Sequence, residues 1–318
     1  MNSKDKQDTN KIYRAVVIGA GDIGSGADGP DSSEFLTHAH GIAENPSLEL
    51  RALVDTDGER AEAEAGRWNT NAYTDIEQMF AIEKPDIVVI ATPDDTHTQM
   101  LEHVLTKDIK LVVLEKPVAT NDAEAERLSK LQPGIPVVVN FRRRFDPIVI
   151  GLADALRRGE HGRILSAHGT YVRGILHNGS HMLDLARLLF GEIRSAAPDS
   201  SSVIHDFPEG LPTIGGTAVF ERCPTFRLTA ADGREKFIFE LEIVTEKARF
   251  HFTDEGMKLT EQTETGKART INTGLDMAFP ALYAHVVAVL DGKEKPHSTL
   301  DNALKTHAAC MLFAPHTE

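Results

Sequence analysis

The run Gly19-Ala20-Gly21-Asp22-Ile23-Gly24 follows directly on the apolar segment Arg14 to Ile18. A GxGxxG turn between a strand and a helix lets a pyrophosphate approach backbone N–H groups. In this setting Gly19 permits the tight turn, Gly21 the close approach and Gly24 the packing of helix on strand, with Ala20, Asp22 and Ile23 completing the cradle. The acidic partner of such a turn belongs at the end of the second strand, where Asp55 stands in Ala-Leu-Val-Asp. Asp55 lies further from Gly24 than the usual ~20 residues, and the Gly/Asp/Ser/Pro-rich stretch Ser25 to Ser33 accounts for the excess as an inserted loop beside the bound dinucleotide. A carboxylate at that position accepts hydrogen bonds from ribose hydroxyls and repels a 2′-phosphate, so NAD is favoured, with NADP as the alternative. The competing reading of Asp55 is a strand-end aspartate that only turns the chain.

Two further strand ends carry chemistry. Thr92-Pro93 and Glu115-Lys116-Pro117 fall at the carboxyl edge of a parallel sheet, where ligands bind in doubly wound folds. Lys116 is thereby placed near a nicotinamide. Partial desolvation and a cationic neighbour would lower its pKa enough for proton exchange with a substrate hydroxyl, whereas the plain reading is a surface lysine before a proline. Downstream, His177-Asn178-Gly179-Ser180-His181 spaces two imidazoles at HxxxH without the glutamate of a metalloprotease and without a third obvious ligand, so no metal site is expected.

The elements that must position these groups divide the chain in two. From Arg14 to Asn140, Val/Ile-rich runs at 14–18, 48–54, 86–91, 110–114 and 136–140, with a weak one at 72–73, alternate with helical patterns at 58–67, 75–81, 97–105 and 122–131. That is the grammar of βαβ units and a parallel sheet covered on both faces. A helix after the inserted loop is expected to start near Glu34. Beyond Asn140 come a helix (147–158), a strand (164–171), a helix (181–190), alternating strands from Gly215 to Gln262, and helices at 278–290 and 300–313. Asp232-Gly233 and Glu255-Gly256 read as hairpin turns. The expected architecture is thus a tail (1–12), a Rossmann domain (13–141) and a domain at 142–318 with an open, mostly antiparallel sheet carrying helices on one face, whose terminal helix can pack back on the first domain. An uncovered sheet face usually pairs with another subunit, so a homodimer or homotetramer is expected.

Composition narrows the partners. The formal charge of −14 repels phosphate backbones and anionic headgroups, which argues against nucleic acid and membrane surfaces. Cys223 and Cys310, the two cysteines, are far apart and in no metal-like spacing, which suits a reducing cytoplasm. The polar start of the chain lacks a signal-peptide core, and no run approaches the ~20 apolar residues of a membrane helix.

Taken in order, GAGDIG, ALVD, IATPDDTH, EKP, FRRRFDP and GSHMLDL resemble the glucose-fructose oxidoreductase / inositol dehydrogenase (Gfo/Idh/MocA) family over about Tyr13 to Phe313. The resemblance implies an NAD(P)-dependent oxidoreductase that moves a hydride between nicotinamide and a secondary alcohol or ketone of a sugar, nucleotide sugar or cyclitol. It implies that Lys116 positions or activates the substrate, that Pro117 follows a cis peptide bond, and that His181 is the acid/base. The family places an aspartate four residues before that histidine; His177 stands there in this chain and is expected to take its place. Arg143 and Arg144 match paired arginines that join the two domains, Arg143 toward substrate and Arg144 toward cofactor, with an interdomain ion pair as the alternative. Tyr171 and Asn178 are expected at the substrate. Thr92, Pro93, His97 and Glu115 are expected near the cofactor, although His97 also reads as a simple helix cap. Two other classes share the resemblance: an NAD-assisted glycoside hydrolase or eliminase, and a regulatory nicotinamide sensor without turnover. The sensor would be expected to lack the lysine or histidine, and both are present.

Overall fold

The computed structural model describes residues 11–207 and 210–314, so the expected tail lies outside the described residues apart from Lys11 and Ile12. The first sheet consists of β1 (Tyr13–Ile18), β2 (Leu48–Val54), β3 (Asn71–Tyr73), β4 (Ile87–Ile90), β5 (Leu111–Leu114) and β6 (Val137–Val139). Between these strands lie α1 (His38–Ala43), α2 (Gly58–Arg67), α3 (Ile76–Glu83), α4 (His97–Val104) and α5 (Asp122–Ser129). Strand order is β3-β2-β1-β4-β5-β6, with the neighbouring strands from β3 through β5 parallel. This is the doubly wound order, whose direction of winding reverses at β1/β4 and opens a crevice beyond the strand ends. Val16, Val17, Val88, Val89, Val112 and Val113 are all fully buried, as a sheet covered on both faces requires.

The insertion after the glycine turn departs from expectation. The chain closes a wide turn at Asp22–Gly26, in which Gly26 N–H reaches Gly21 O and Ala27 N–H reaches Asp22 O. The next helix starts at His38, not near Glu34. Asp28 is the cause. Its buried carboxylate accepts hydrogen bonds from Leu36 N–H (2.6 Å) and Thr37 Oγ1 (2.5 Å) and faces His40 Nδ1 at 2.8 Å. The insertion is pinned at its far end, and Thr37 caps α1.

The second sheet follows α6 (Pro147–Arg157) and contains β7 (Ile164–Tyr171), then, after α7 (Gly179–Phe190), β8 (Ile193–Ile204), β9 (Thr213–Phe220), β10 (Phe226–Ala230), β11 (Phe239–Thr245), β12 (Ala248–Thr253), β13 (Lys258–Thr263) and β14 (Ala268–Asn272). The chain ends in α8 (Ala278–Leu290) and α9 (Leu300–Met311). The order β14-β13-β12-β11-β7-β10-β9-β8 is antiparallel except for β7 beside β10. Because β7 separates β10 from β11, Asp232-Gly233 is a crossover and not the hairpin expected. Glu255-Gly256 does turn the β12–β13 hairpin, with positive φ at Asp254, Glu255 and Gly256. β8 and β14 are additions to the expected strands. Phe226, Leu228, Phe239, Leu241, Ile243, Phe250 and Phe252 face the helix side and are buried. Their alternates, among them His168, Arg227, Glu240, Glu242 and Arg249, face solvent, so one sheet face is open among the described residues.

Two compact units result. One comprises the chain up to Glu115 with Pro133–Val138 and Phe279–Pro296; the other comprises Lys116–Gln132, Val139–Ala278 and the chain from His297 onward. No helix among the described residues is long and apolar enough to cross a membrane.

Candidate active site

In the first unit the glycines are required for different reasons. Gly19 has φ +98°, and a Cβ there would lie 2.3 Å from Ala91 O. A Cβ on Gly24 would lie 1.9 Å from Gly19 O, so both positions are closed to any other residue. Gly21 differs. Its backbone is extended (φ −75°, ψ −169°), and a Cβ would meet nothing within 4 Å. Protein packing does not demand a glycine at this position; the space beside it is open. The first N–H groups of a helical turn have no partner one turn back, and Asp22 and Ile23 at this turn are exposed. The turn is braced from behind by Arg67 Nη2 and Trp68 Nε1, both donating to Ser25 O. These residues fit a dinucleotide pyrophosphate.

Asp55 stands where the motif requires. Its Oδ2 accepts Ala20 N–H (2.9 Å) and Arg60 Nε (3.0 Å), and its Oδ1 accepts Asp57 N–H (3.0 Å) and Arg60 Nη2 (2.9 Å). Burial raises the pKa of this carboxyl, but the hydrogen bonds from Arg60, Asp57 and Ala20 outweigh burial and hold it below the usual range. Thr92, at the end of β4, receives a hydrogen bond from Thr96 Oγ1 (2.7 Å) at its hydroxyl, while its carbonyl lies 2.8 Å from His97 Nε2. His97 is thus buried and braces the Thr92-Pro93 turn.

Glu115 has a partner that sequence reasoning missed, and a second residue holds that partner in turn. Its Oε1 is 2.9 Å from His38 Nε2, and His38 Nδ1 is 2.7 Å from Tyr283 Oη. Burial pushes the Tyr283 hydroxyl well above its ordinary pKa, so it remains a donor, and the imidazole in turn donates to the carboxylate. His38 and Tyr283 are both fully buried.

The second unit holds the groups suited to acid–base work. The Lys116–Pro117 bond is cis, as expected. Lys116 Nζ lies 3.4 Å from His177 Nδ1, and the His177 ring stacks on Phe207 with centroids 4.6 Å apart. A ring nitrogen facing an ammonium is a poor place for zinc. His181, in the first turn of α7, meets Phe141 edge-on with centroids 5.8 Å apart. Burial drives its pKa well below the ordinary value, and Lys116, Arg143, Arg142 and His177 drive it further. The imidazole is neutral and keeps a lone pair for a proton. Asn178 is buried, and its Nδ2 has no hydrogen-bond partner among the described residues.

The remaining expected residues are engaged within the fold. Arg143 lies over Phe239 at 3.7 Å, donates to Glu255 O at 3.0 Å, and is pushed down to about 9 by burial and by Arg142. Arg144 Nε contacts both oxygens of Asp184 at 2.9 and 2.8 Å, and Asp184 also accepts from Asn302 and Thr306. Tyr171 is fully buried; its hydroxyl donates to Ile214 O and accepts from Ile214 N–H.

Residues 13–139 match the model of the GFO_IDH_MocA oxidoreductase family, described as an NAD-binding Rossmann fold. Those residues are similar to the NAD-binding domain of the Gfo/Idh/MocA oxidoreductases. The chain is also similar to an inositol 2-dehydrogenase of Rhizobium meliloti, 29% identical over 212 residues that make up 61% of this chain and 59% of the relative. The chain thus aligns with little more than half the length of such curated relatives. Likeness of fold extends further. An oxidoreductase from Agrobacterium radiobacter, solved with NAD+, L-tartaric acid and magnesium, superposes with a TM-score of 0.76 at 16% identity, covering 94% of both chains. The WlbA dehydrogenase from Bordetella pertussis, solved with NADH and UDP-GlcNAcA, gives 0.75 at 18% identity, covering 95% of both.

Proposed function

We propose that this chain is an NAD(P)-dependent dehydrogenase or reductase acting on a CH–OH group of a sugar, nucleotide sugar or cyclitol. The observation that carries the reading is the Lys116–His177–His181 cluster in a chain whose glycine turn is built for a dinucleotide. The names of relatives that act on inositol or were solved with a nucleotide sugar support the substrate class.

Bound nicotinamide supplies the hydride acceptor or donor. The chain's own residues handle the proton. Neutral His181 accepts it from the substrate hydroxyl, or returns it to a ketone oxygen in the reverse direction. Lys116 donates a hydrogen bond to the same oxygen and stabilises charge developing there. His177 offers Nδ1 to the ammonium and positions it, and the Phe207 ring fixes the plane of that imidazole. Asn178 Nδ2 supplies a further donor to a polyol. Thr92, Pro93 and Glu115 line the coenzyme side. A homodimer or homotetramer formed through the open sheet face, in the cytoplasm, belongs to the same reading; light scattering that returned a monomer would remove the oligomer.

The test is to follow NADH absorbance with purified protein, NAD and a panel of sugars, nucleotide sugars and cyclitols. Accumulation of NADH is expected with one class, and Lys116→Ala and His181→Ala should each lower turnover by about 10²–10⁴-fold. Substrate cleavage without NADH accumulation would replace this reading with NAD-assisted elimination.

A further inference from the structure

We propose that the second unit carries a binding site for an amphipathic monoanion, a carboxylate on an apolar body, in a recess of its sheet where β10 falls short. The site is separate from the Lys116–His177–His181 cluster. Leu189, whose carbonyl faces the recess arginine Arg222, is eight residues beyond His181 on α7, about 12 Å along the helix at 1.5 Å per residue.

The recess comes from a missing stretch of strand. β10 runs between β7 and β9 but starts only at Phe226, opposite Ala167 on β7 and Ala218 on β9. The residues before it, 221–225, form bends outside any strand. Ile164-Leu165 and Val219-Phe220 therefore flank a gap, which opens as a recess of about 690 Å³. Small-molecule pockets run from about 300 to 1,000 Å³. Leu165 and Val219 are 44% and 37% exposed, so the gap presents apolar surface to whatever enters.

The charge at the recess points to the other half of the ligand. Arg163, Arg194 and Arg222 line it with Glu221 and Glu246. Arg163 and Glu246 are paired at 2.7 Å, which leaves Arg194 and Arg222 facing Glu221. The excess is one positive charge in a chain whose formal charge is −14. Arg222 is the less well satisfied of the two. Its Nε is buried without a hydrogen-bond partner among the described residues, and its Nη2 makes only a long bond to Leu189 O at 3.3 Å. Burial first, and then repulsion by Arg157, lowers its pKa against the pull of Glu221. A carboxylate in the recess gives this guanidinium both an acceptor and a negative charge. A single excess charge, beside the carbonyl end of α7, suits a monoanion better than a phosphate dianion.

The experiment is calorimetric titration of wild type, Arg222→Met and Val219→Trp with octanoate, octan-1-ol and inorganic phosphate. Wild type is expected to bind octanoate at least about tenfold more tightly than octan-1-ol, as a charge-assisted hydrogen bond provides, and to give no heat with phosphate. Arg222→Met should abolish that preference. Val219→Trp fills the gap from an exposed position without touching the cap that Arg222 gives α7, and should weaken octanoate and octan-1-ol alike. Absence of octanoate binding in wild type, or binding unchanged in both variants, would overturn the site. Binding of phosphate in preference to octanoate would overturn the ligand class. Light scattering of the variants reads assembly in parallel: a change of mass with octanoate affinity intact would make the recess a subunit contact and overturn the proposal.

Discussion

Nδ1 of His177 lies 3.4 Å from Nζ of Lys116, so an imidazole faces the ammonium. A neutral ring nitrogen accepts a hydrogen bond from an ammonium but contributes no negative charge to favour it. A carboxylate within about 4–6 Å does favour the charged lysine. His177→Asp is therefore expected to move the alkaline limb of the kcat/KM profile upward by about half a pH unit or more. A profile superimposable on that of wild type would show that His177 does not act through Lys116.

His181 gives a second, independent dependence on pH. Its folded-state pKa is depressed, by burial first and then by Lys116, Arg143, Arg142 and His177, below the ordinary value of 6.5. Between those two values the unfolded chain binds the proton and the folded chain does not. The stability this residue contributes is therefore fully present above pH 6.5 and falls as pH drops toward the folded-state pKa. The slope is at most about 1.4 kcal/mol per pH unit. His181→Asn should lose less stability than wild type between about pH 6.5 and pH 5, read as the difference between the two denaturant midpoints. Parallel curves would contradict the depressed pKa.

The Tyr283–His38–Glu115 chain predicts a stability effect from residues outside every motif. His38→Ala removes one partner of the buried Glu115 carboxylate and is expected to destabilise by about 3 kcal/mol. Tyr283→Phe removes one neutral hydrogen bond to the imidazole and should cost about 1 kcal/mol. Urea denaturation of the two variants checks the ranking, and a reversed order would mean that the carboxylate finds another donor.

What could be read from the sequence follows the physics of each element. The Val/Ile strands of the first sheet were legible because burial on both faces forces continuous apolar runs. β8 was not, because no position of Ile193–Ile204 is fully buried and the strand includes Pro198 and four consecutive polar residues. β14 is exposed along nearly its whole length and carries no apolar pattern. The start of α1 was misplaced because Asp28, an ordinary loop aspartate by sequence, is buried and holds the insertion through His40. In the candidate site, Gly19, Gly21, Gly24 and Asp55 were marked by motif spacing, and Lys116, His177 and His181 by the family resemblance. His38 and Tyr283 were not, since their contact joins positions 245 residues apart. Tyr171 and Arg144 show the opposite case: polar side chains near motifs whose hydrogen bonds are directed inward, to Ile214 and Asp184.

Coenzyme affinity of Gly21→Ala, measured by calorimetry beside its thermal stability, tests the central claim most directly. An alanine Cβ at Gly21 meets no protein atom, whereas one at Gly24 would meet Gly19 O at 1.9 Å. Gly24→Ala should accordingly destabilise the fold by about 2–4 kcal/mol. Gly21→Ala should melt within a degree or two of wild type yet bind NAD+ at least about tenfold more weakly, because its methyl group fills the space meant for the pyrophosphate. Wild-type affinity in Gly21→Ala, or no heat of binding in wild type with either coenzyme, would contradict the account.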